Sequence, residues 1–168
     1  MEPLWDRFSG RVQAYQQGRP GYPEALARTL MEQAGIKPFS PVADVGAGTG
    51  LWALQLAQAG LQVTCIEPSG DMRAACRETL RDYPAQVLDG TAEQLPLPDG
   101  SCKLVTAAQA FHWFDAQAFR AECLRVLAPG GLAALVWNNL DYAAPPLARQ
   151  VKLHEAYCPR FHHLKGIA

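Results

Sequence analysis

The stretch Pro41–Leu51, P-V-A-D-V-G-A-G-T-G-L, constrains the fold of this chain more than any other. A short apolar β-type run, Val42, Ala43 and Val45, carries one acid, Asp44. Glycines follow at alternate positions, Gly46, Gly48 and Gly50, and the helical pattern L-W-A-L-Q-L-A-Q-A starts at once. A strand, a glycine turn and a helix form the opening unit of an α/β ligand site. Glycine suits such a turn because it reaches φ > 0 and lets a ligand approach the backbone closely.

The ligand is constrained by spacing and charge. A dinucleotide fingerprint, G-x-G-x-x-G, would put its third glycine at position 51, which is Leu51. The spacing here is G-x-G-x-G, with Asp44 two residues before the first glycine. That acid repels a pyrophosphate and attracts an ammonium group. S-adenosylmethionine carries an ammonium, a sulfonium and a ribose, and no phosphate. D-V-G-A-G-T-G accordingly resembles the first motif of the class I S-adenosylmethionine-dependent methyltransferases.

The rest of the chain supplies units that fit. After the irregular arm 1–22, a helix opens at Pro23 and stops at Gly35, with Leu26, Leu30, Met31 and Ala34 as its apolar stripe. The glycine loop leads into a helix over Leu51–Gly60, and L-Q-V-T-C-I-E-P-S reads as a second strand ending at Glu67. Glu67 lies about 20 residues past the loop, the interval at which a βαβ unit brings an acid to a ribose. Ser69 is placed to cap the next helix. Ala85–Leu88 reads as a third strand and Cys102–Ala107 as a fourth. Asp115 is the expected N-cap of a helix to Leu127, A-P-G-G turns, and L-A-A-L-V-W-N-N is the fifth strand.

Strands one and four should flank the ligand crevice, which puts Gln109 and His112 near the reacting group. Phe111, Trp113 and Phe114 either line that crevice or pack the following helix. Leu95 and Leu97 read as lining or core.

Three further segments carry the resemblance. G-T-A-E-Q-L-P-L-P-D is similar to the methyltransferase segment G-D-A-E-x-L-P-F-x-D that runs beneath the adenine, with Thr91 in place of Asp. L-R-V-L-A-P-G-G precedes the fifth strand, as is frequent in the class I fold. A-Y-Q-Q-G-R-P-G-Y-P and A-Q-A-F-H-W-F resemble the trans-aconitate methyltransferase-like subgroup. The resemblance covers about residues 12–140.

It implies a Rossmann-like α/β sheet of five parallel strands with helices on both faces. The implied cofactor set is Asp44, Gly46, Ala47, Gly48, Gly50, Glu67, Pro68, Met72, Thr91, Ala92 and Gln109, with Tyr15, Arg19 and Tyr22 of the arm folding over the methionine end. His112 is the candidate base where the acceptor carries a proton. S-adenosylmethionine would be the methyl donor, S-adenosylhomocysteine the product and a small molecule, a carboxylate in one version, the acceptor. A NAD(P)-linked oxidoreductase and a non-catalytic module of the same fold stand as alternatives.

Composition sets the outer bounds. At 168 residues, 49% hydrophobic and 18% charged, the chain reads as one soluble globular domain. A net charge of −1 argues against a general nucleic-acid or anionic-membrane binder. Neither a leader-type start nor an apolar run near the ~18 residues of a membrane span is present, so the expected location is cytoplasmic. Five cysteines, at 65, 76, 102, 123 and 158, never in C-x-x-C spacing, fit reduced thiols. His154, His162 and His163 read as a solvated tail and not as a metal site. The segment 141–168 reads as a helical tail, and the C-terminal antiparallel strands usual in the fold have no counterpart in it. The fifth strand would then be an apolar edge: the chain is expected to be a truncated form, or that edge to be shielded by the tail or by a second copy in a homodimer.

Overall fold

The computed structural model describes residues 21–139 and Arg149. The arm residues Tyr15 and Arg19, the expected tail helix and His154, His162 and His163 lie outside the described residues. The chain divides after Val136 into two compact units, and the first holds every element named below.

In chain order these are α1 (Glu24–Gln33), β1 (Pro41–Val45), α2 (Leu51–Gln58), β2 (Gln62–Ile66), α3 (Gly70–Thr79), β3 (Gln86–Leu88), β4 (Cys102–Ala108), α4 (Ala116–Val126) and β5 (Leu127–Val136). A single 3₁₀ turn, Phe111–Trp113, joins β4 to α4. The five strands form one sheet in the order β3-β2-β1-β4-β5, every neighbouring pair parallel. This is the Rossmann-like α/β architecture expected.

Each strand reads as it does because the sheet is covered on both faces. Val42, Val63 and Leu104 face one layer, packing with Ala27 of α1, Trp52 and Leu56 of α2 and Cys76 of α3. Ala43, Val45, Ile66, Val105 and Ala107 face the other, against Phe119, Cys123 and Val126 of α4 and Ala92 and Leu95 of the β3–β4 connection. Leu95 is core, as read, and Leu97 packs at its margin. Fully burying one such aliphatic side chain contributes about 1.5–3 kcal/mol.

The helix stops follow from glycine. Gly35 has φ 59° and Gly60 has φ 87°. After α1, Gly35 N donates to Glu32 O and Ile36 N to Met31 O; after α2, Gly60 N donates to Ala57 O and Leu61 N to Leu56 O. Each pair satisfies the last orphan carbonyls, and Ile36 and Leu61 then drop into the core.

β5 departs from the expected boundary. Pairing with β4 begins at Cys102 opposite Leu127, directly after α4, and resumes with Leu104 opposite Leu132. Ala128–Gly131 therefore bulges from within the strand and does not precede it. Gly130, at φ 74°, makes that bulge possible. Among the described strands β5 lies at one edge of the sheet, and its Leu135 is 42% exposed.

The layering gives a stability test. Leu104→Ala, at a fully buried position, should cost about 2–5 kcal/mol in urea unfolding. Leu124→Ala, at an exposed position of α4, should stay within about half a kcal/mol.

Candidate functional site

Strand order reverses between β1 and β4, so the crevice of the sheet opens at their carboxyl ends. Asp44 sits there. By strand alternation it shares a face with Val42, and its register partners are Thr106 on β4 and Cys65 on β2. The Thr106 hydroxyl donates to Asp44 Oδ1 at 2.9 Å. Asp44 Oδ2 is buried and has no hydrogen-bond partner, and the residue is only 1% exposed. Burial pushes this carboxyl from its ordinary 3.8 up to about 7; the Thr106 hydrogen bond works against the rise and the nearby Glu67 charge adds to it.

The glycine loop is stitched to the end of β2. Gly46 N and Ala47 N both donate to Ile66 O, at 2.8 and 3.2 Å, and Gly50 N donates to Ala47 O at 2.9 Å. Gly48 N donates to Glu67 Oε2 at 2.9 Å, while Ser69 N donates to Glu67 Oε1 at 3.0 Å. All three glycines lie in the left-handed region, Gly46 at φ 68°, Gly48 at 56° and Gly50 at 83°. A Cβ on Gly46 would stand 2.6 Å from Ala110 Cβ and 3.1 Å from the Phe114 ring; on Gly50 it would stand 2.9 Å from Cys76 Sγ. The loop is therefore closed over by the β4–α4 turn on one side and backed by α3 on the other.

This network decides against a phosphate. Anion loops work by presenting free backbone amides. Here the amides of Gly46, Ala47, Gly48 and Gly50 are already engaged, one of them by a carboxylate. The buried groups left without a partner around the loop are instead an acid oxygen, Asp44 Oδ2, and the hydroxyls of Thr49 and Ser69; the acid oxygen suits a cation or a hydrogen-bond donor.

Glu67 is 7% exposed, and burial raises its carboxyl while the Ser69 and Gly48 amides and the Arg73 charge hold it down. Each of its oxygens keeps a second lone pair, so ribose hydroxyls can still be received. Ser69 stands at the N-cap of α3 without the expected capping bond; its hydroxyl is buried and unpartnered, while its backbone N–H is held by the Glu67 carboxylate. One arginine closes this end. Arg73 Nη1 donates to Glu67 O at 2.8 Å, Pro68 O at 2.7 Å and Asp89 Oδ1 at 2.9 Å. Glu67, Pro68 and the turn after β3 are thereby held together. Met72, on the first turn of α3, is buried. Thr91 bridges to Gln94, and the Ala92 side chain belongs to the core.

On the β4 side, Gln109 takes φ 56°, uncommon for a residue with a Cβ, and its N–H donates to Val136 O at 2.8 Å. Phe111 and Phe114 pack on Phe119 of α4, ring centroids 5.9 and 5.0 Å away, so their packing role holds. His112 is exposed, with its ring 4.9 Å from that of Trp113. Tyr22 packs edge-on against Trp52 at 5.1 Å, and its carbonyl accepts from Gln55 Nε2.

Asp44, the glycine loop, Glu67, Pro68, Thr91, Ala92 and Gln109 thus follow the carboxyl ends of β1, β2, β3 and β4, Met72 stands on α3 and Tyr22 packs on α2, while Tyr15 and Arg19 lie outside the described residues. Sequence reading missed Thr106 and Arg73. A polar residue in the apolar run L-V-T-A-A, at the height of Asp44, was a usable signal for Thr106. Arg73 had none, since two of its three partners are backbone carbonyls and the third, Asp89, lies 16 positions on.

Known proteins point the same way. A family model described as a methyltransferase domain matches residues 43–135. The chain belongs to that methyltransferase family. Over 134 residues it is 41% identical to an uncharacterized methyltransferase of Mycobacterium tuberculosis, covering 80% of this chain and 53% of that protein. Over 111 residues it is 39% identical to the malonyl-[acyl-carrier protein] O-methyltransferase of Geobacter sulfurreducens, covering 63% of this chain and 41% of that one. Among solved structures, a protein from Anaeromyxobacter dehalogenans assigned as a type II methyltransferase superposes with a TM-score of 0.66 at 31% identity, covering 86% of this chain and 67% of that one. The chain spans about half the length of the curated relatives it matches. Among the described residues no helix is long and apolar enough to cross a membrane.

The buried Asp44 gives this methyltransferase domain a distinctive pH response. The folded protein keeps the Asp44 proton up to about pH 7, whereas the unfolded chain gives it up near 3.8. Stability therefore falls as pH rises across that window, and the full cost is present above it. Asp44→Asn should melt several degrees above the wild type at pH 8, with the gap narrowing to about a third at pH 5, read by differential scanning calorimetry. An equal gap at both pH values would contradict the assignment.

Proposed function

We propose that this domain transfers a methyl group from S-adenosylmethionine to a small-molecule acceptor, and that the acceptor's nucleophile is a carboxylate. One observation carries the donor: an unsatisfied, fully buried acid oxygen at the carboxyl end of β1, beside a glycine loop whose amides are spent. Asp44 fits the ammonium of the aminoacyl end, the loop gives close backbone approach to the adenosyl chain, and Glu67 fits the ribose hydroxyls. S-adenosylmethionine supplies, when bound, a methyl carbon made electrophilic by its sulfonium.

The residues around it align and dry the site. Asp44 and Glu67 fix the two ends of the donor, so that the acceptor has one line of approach. Ala110 and Phe114, close against Gly46, exclude water on the β4 side. A carboxylate acceptor needs no base, because it is already ionised at neutral pH. For a hydroxyl or amine acceptor, His112, in the turn after β4, is the candidate base. The carboxylate is supported by the relative named as an O-methyltransferase of a malonyl group and by the subgroup resemblance of A-Q-A-F-H-W-F.

Isothermal calorimetry tests the donor. Wild-type protein should bind S-adenosylmethionine and S-adenosylhomocysteine at one site and show no heat with NAD⁺. Gly48→Val, which strains a left-handed position and displaces the amide held by Glu67, should abolish binding, as should Asp44→Ala. Unchanged affinity in both variants would refute the assignment.

A further inference from the structure

The β3–β4 connection, from Asp89 to Ser101, crosses the sheet face covered by α4 without a helix of its own. Such a segment leaves backbone groups that secondary structure would otherwise satisfy. Two side chains of α4 satisfy them. Glu122 Oε2 accepts from Leu95 N at 2.6 Å. Arg125 donates from Nη2 to Leu95 O at 2.9 Å, and from Nη1 to Leu97 O at 2.7 Å and Asp99 Oδ1 at 2.8 Å. The same guanidinium grips Glu122 with two parallel bonds, Nε to Oε1 at 2.8 Å and Nη2 to Oε2 at 2.6 Å. That fork fixes its plane, which a flexible ammonium would not do.

The grip reaches the cleft through Pro96. A Cβ on Gly90 would stand 2.8 Å from Pro96 Cδ and 3.0 Å from Ile66 Cγ2, so the Gly90 backbone is wedged between Pro96 and the end of β2. Pro96 lies between the two clamped residues. At the other end of α4, Glu93 Oε1 accepts from Asp115 N at 3.0 Å. The turn 90–92, beside Glu67, is therefore placed by where α4 holds Leu95 and Leu97.

We infer that Glu122 and Arg125 are positioning residues of the cofactor cleft, setting the wall that faces the base of the adenosyl group by holding Leu95–Leu97 against Gly90. This rests on the donor reading above. It assigns the pair a role in affinity as well as in packing, and confines that role to the adenosine half.

The test titrates the full chain by calorimetry with S-adenosylhomocysteine and with 5′-methylthioadenosine, which lacks the aminoacyl end. Arg125→Gln and Glu122→Gln should each raise Kd by about tenfold for both ligands, by the same factor. Arg125→Lys should fall between these and wild type, since a lysine keeps the charge and loses the fork. Arg81→Gln, which breaks the exposed pairs with Glu78 and Asp82, should leave both affinities unchanged. Amide exchange at Leu95 should accelerate in Glu122→Gln at unchanged melting temperature, which keeps the test open if Arg125→Gln does not fold. Wild-type affinity in Arg125→Lys and Glu122→Gln, or a loss confined to S-adenosylhomocysteine, overturns the inference while the donor reading stands. A wild type that binds neither ligand overturns both.

Discussion

Everything at the carboxyl edge of this sheet depends on how a glycine loop with three left-handed residues is kept in one conformation. Its glycines have no side chains to hold them, so the loop's own amides must. Ile66 O takes two of them and Glu67 takes a third. The second carboxylate oxygen of Glu67 secures Ser69 at the start of α3, and Arg73 secures the Glu67 carbonyl in turn. One acid at the end of β2 thus organises both the turn above β1 and the helix after β2. Its expected duty toward a ribose is added to a structural one, which explains why burial and hydrogen bonding pull its ionisation in opposite directions.

Asp44 is the complementary case. Its Oδ1 is satisfied by Thr106 and its Oδ2 is not, in surroundings where an unpaired carboxylate is costly. Structural acids in a core are normally paired on every side. A half-satisfied one at the switch point of a parallel sheet carries a cost that a cation or hydrogen-bond donor at its free oxygen would relieve. The nearest arginine in this network, Arg73, is committed to Glu67, Pro68 and Asp89 and leaves that role open.

What was legible in the sequence and what was not divides along a physical line. The glycine spacing, Asp44, Glu67, the Asp115 cap and the helix stops at Gly35 and Gly60 could be read because each is a local device with a fixed offset to its neighbours. The five strands could be read because a doubly covered parallel strand is a short apolar run. Thr106 escaped because its meaning comes from a register partner 62 residues away. Arg73, Glu122 and Arg125 escaped because, beside their ion pairs, they serve distant carbonyls and amides, which carry no sequence signature. The start of β5 was misplaced because A-P-G-G, an ordinary turn signal, here bulges from a strand that pairs on both sides of it.

The helix-free β3–β4 connection has a consequence for the order in which the domain assembles. The glycine loop finds its partners about 20 residues ahead, within one βαβ unit, and Arg73 reaches its carbonyls within a turn and a half of its own helix. The opposite wall cannot close until α4 has emerged, because Leu95 waits for Glu122 and Arg125, 27 and 30 positions later. A nascent chain that has passed β3 therefore owns one jaw of its cleft and lacks the other.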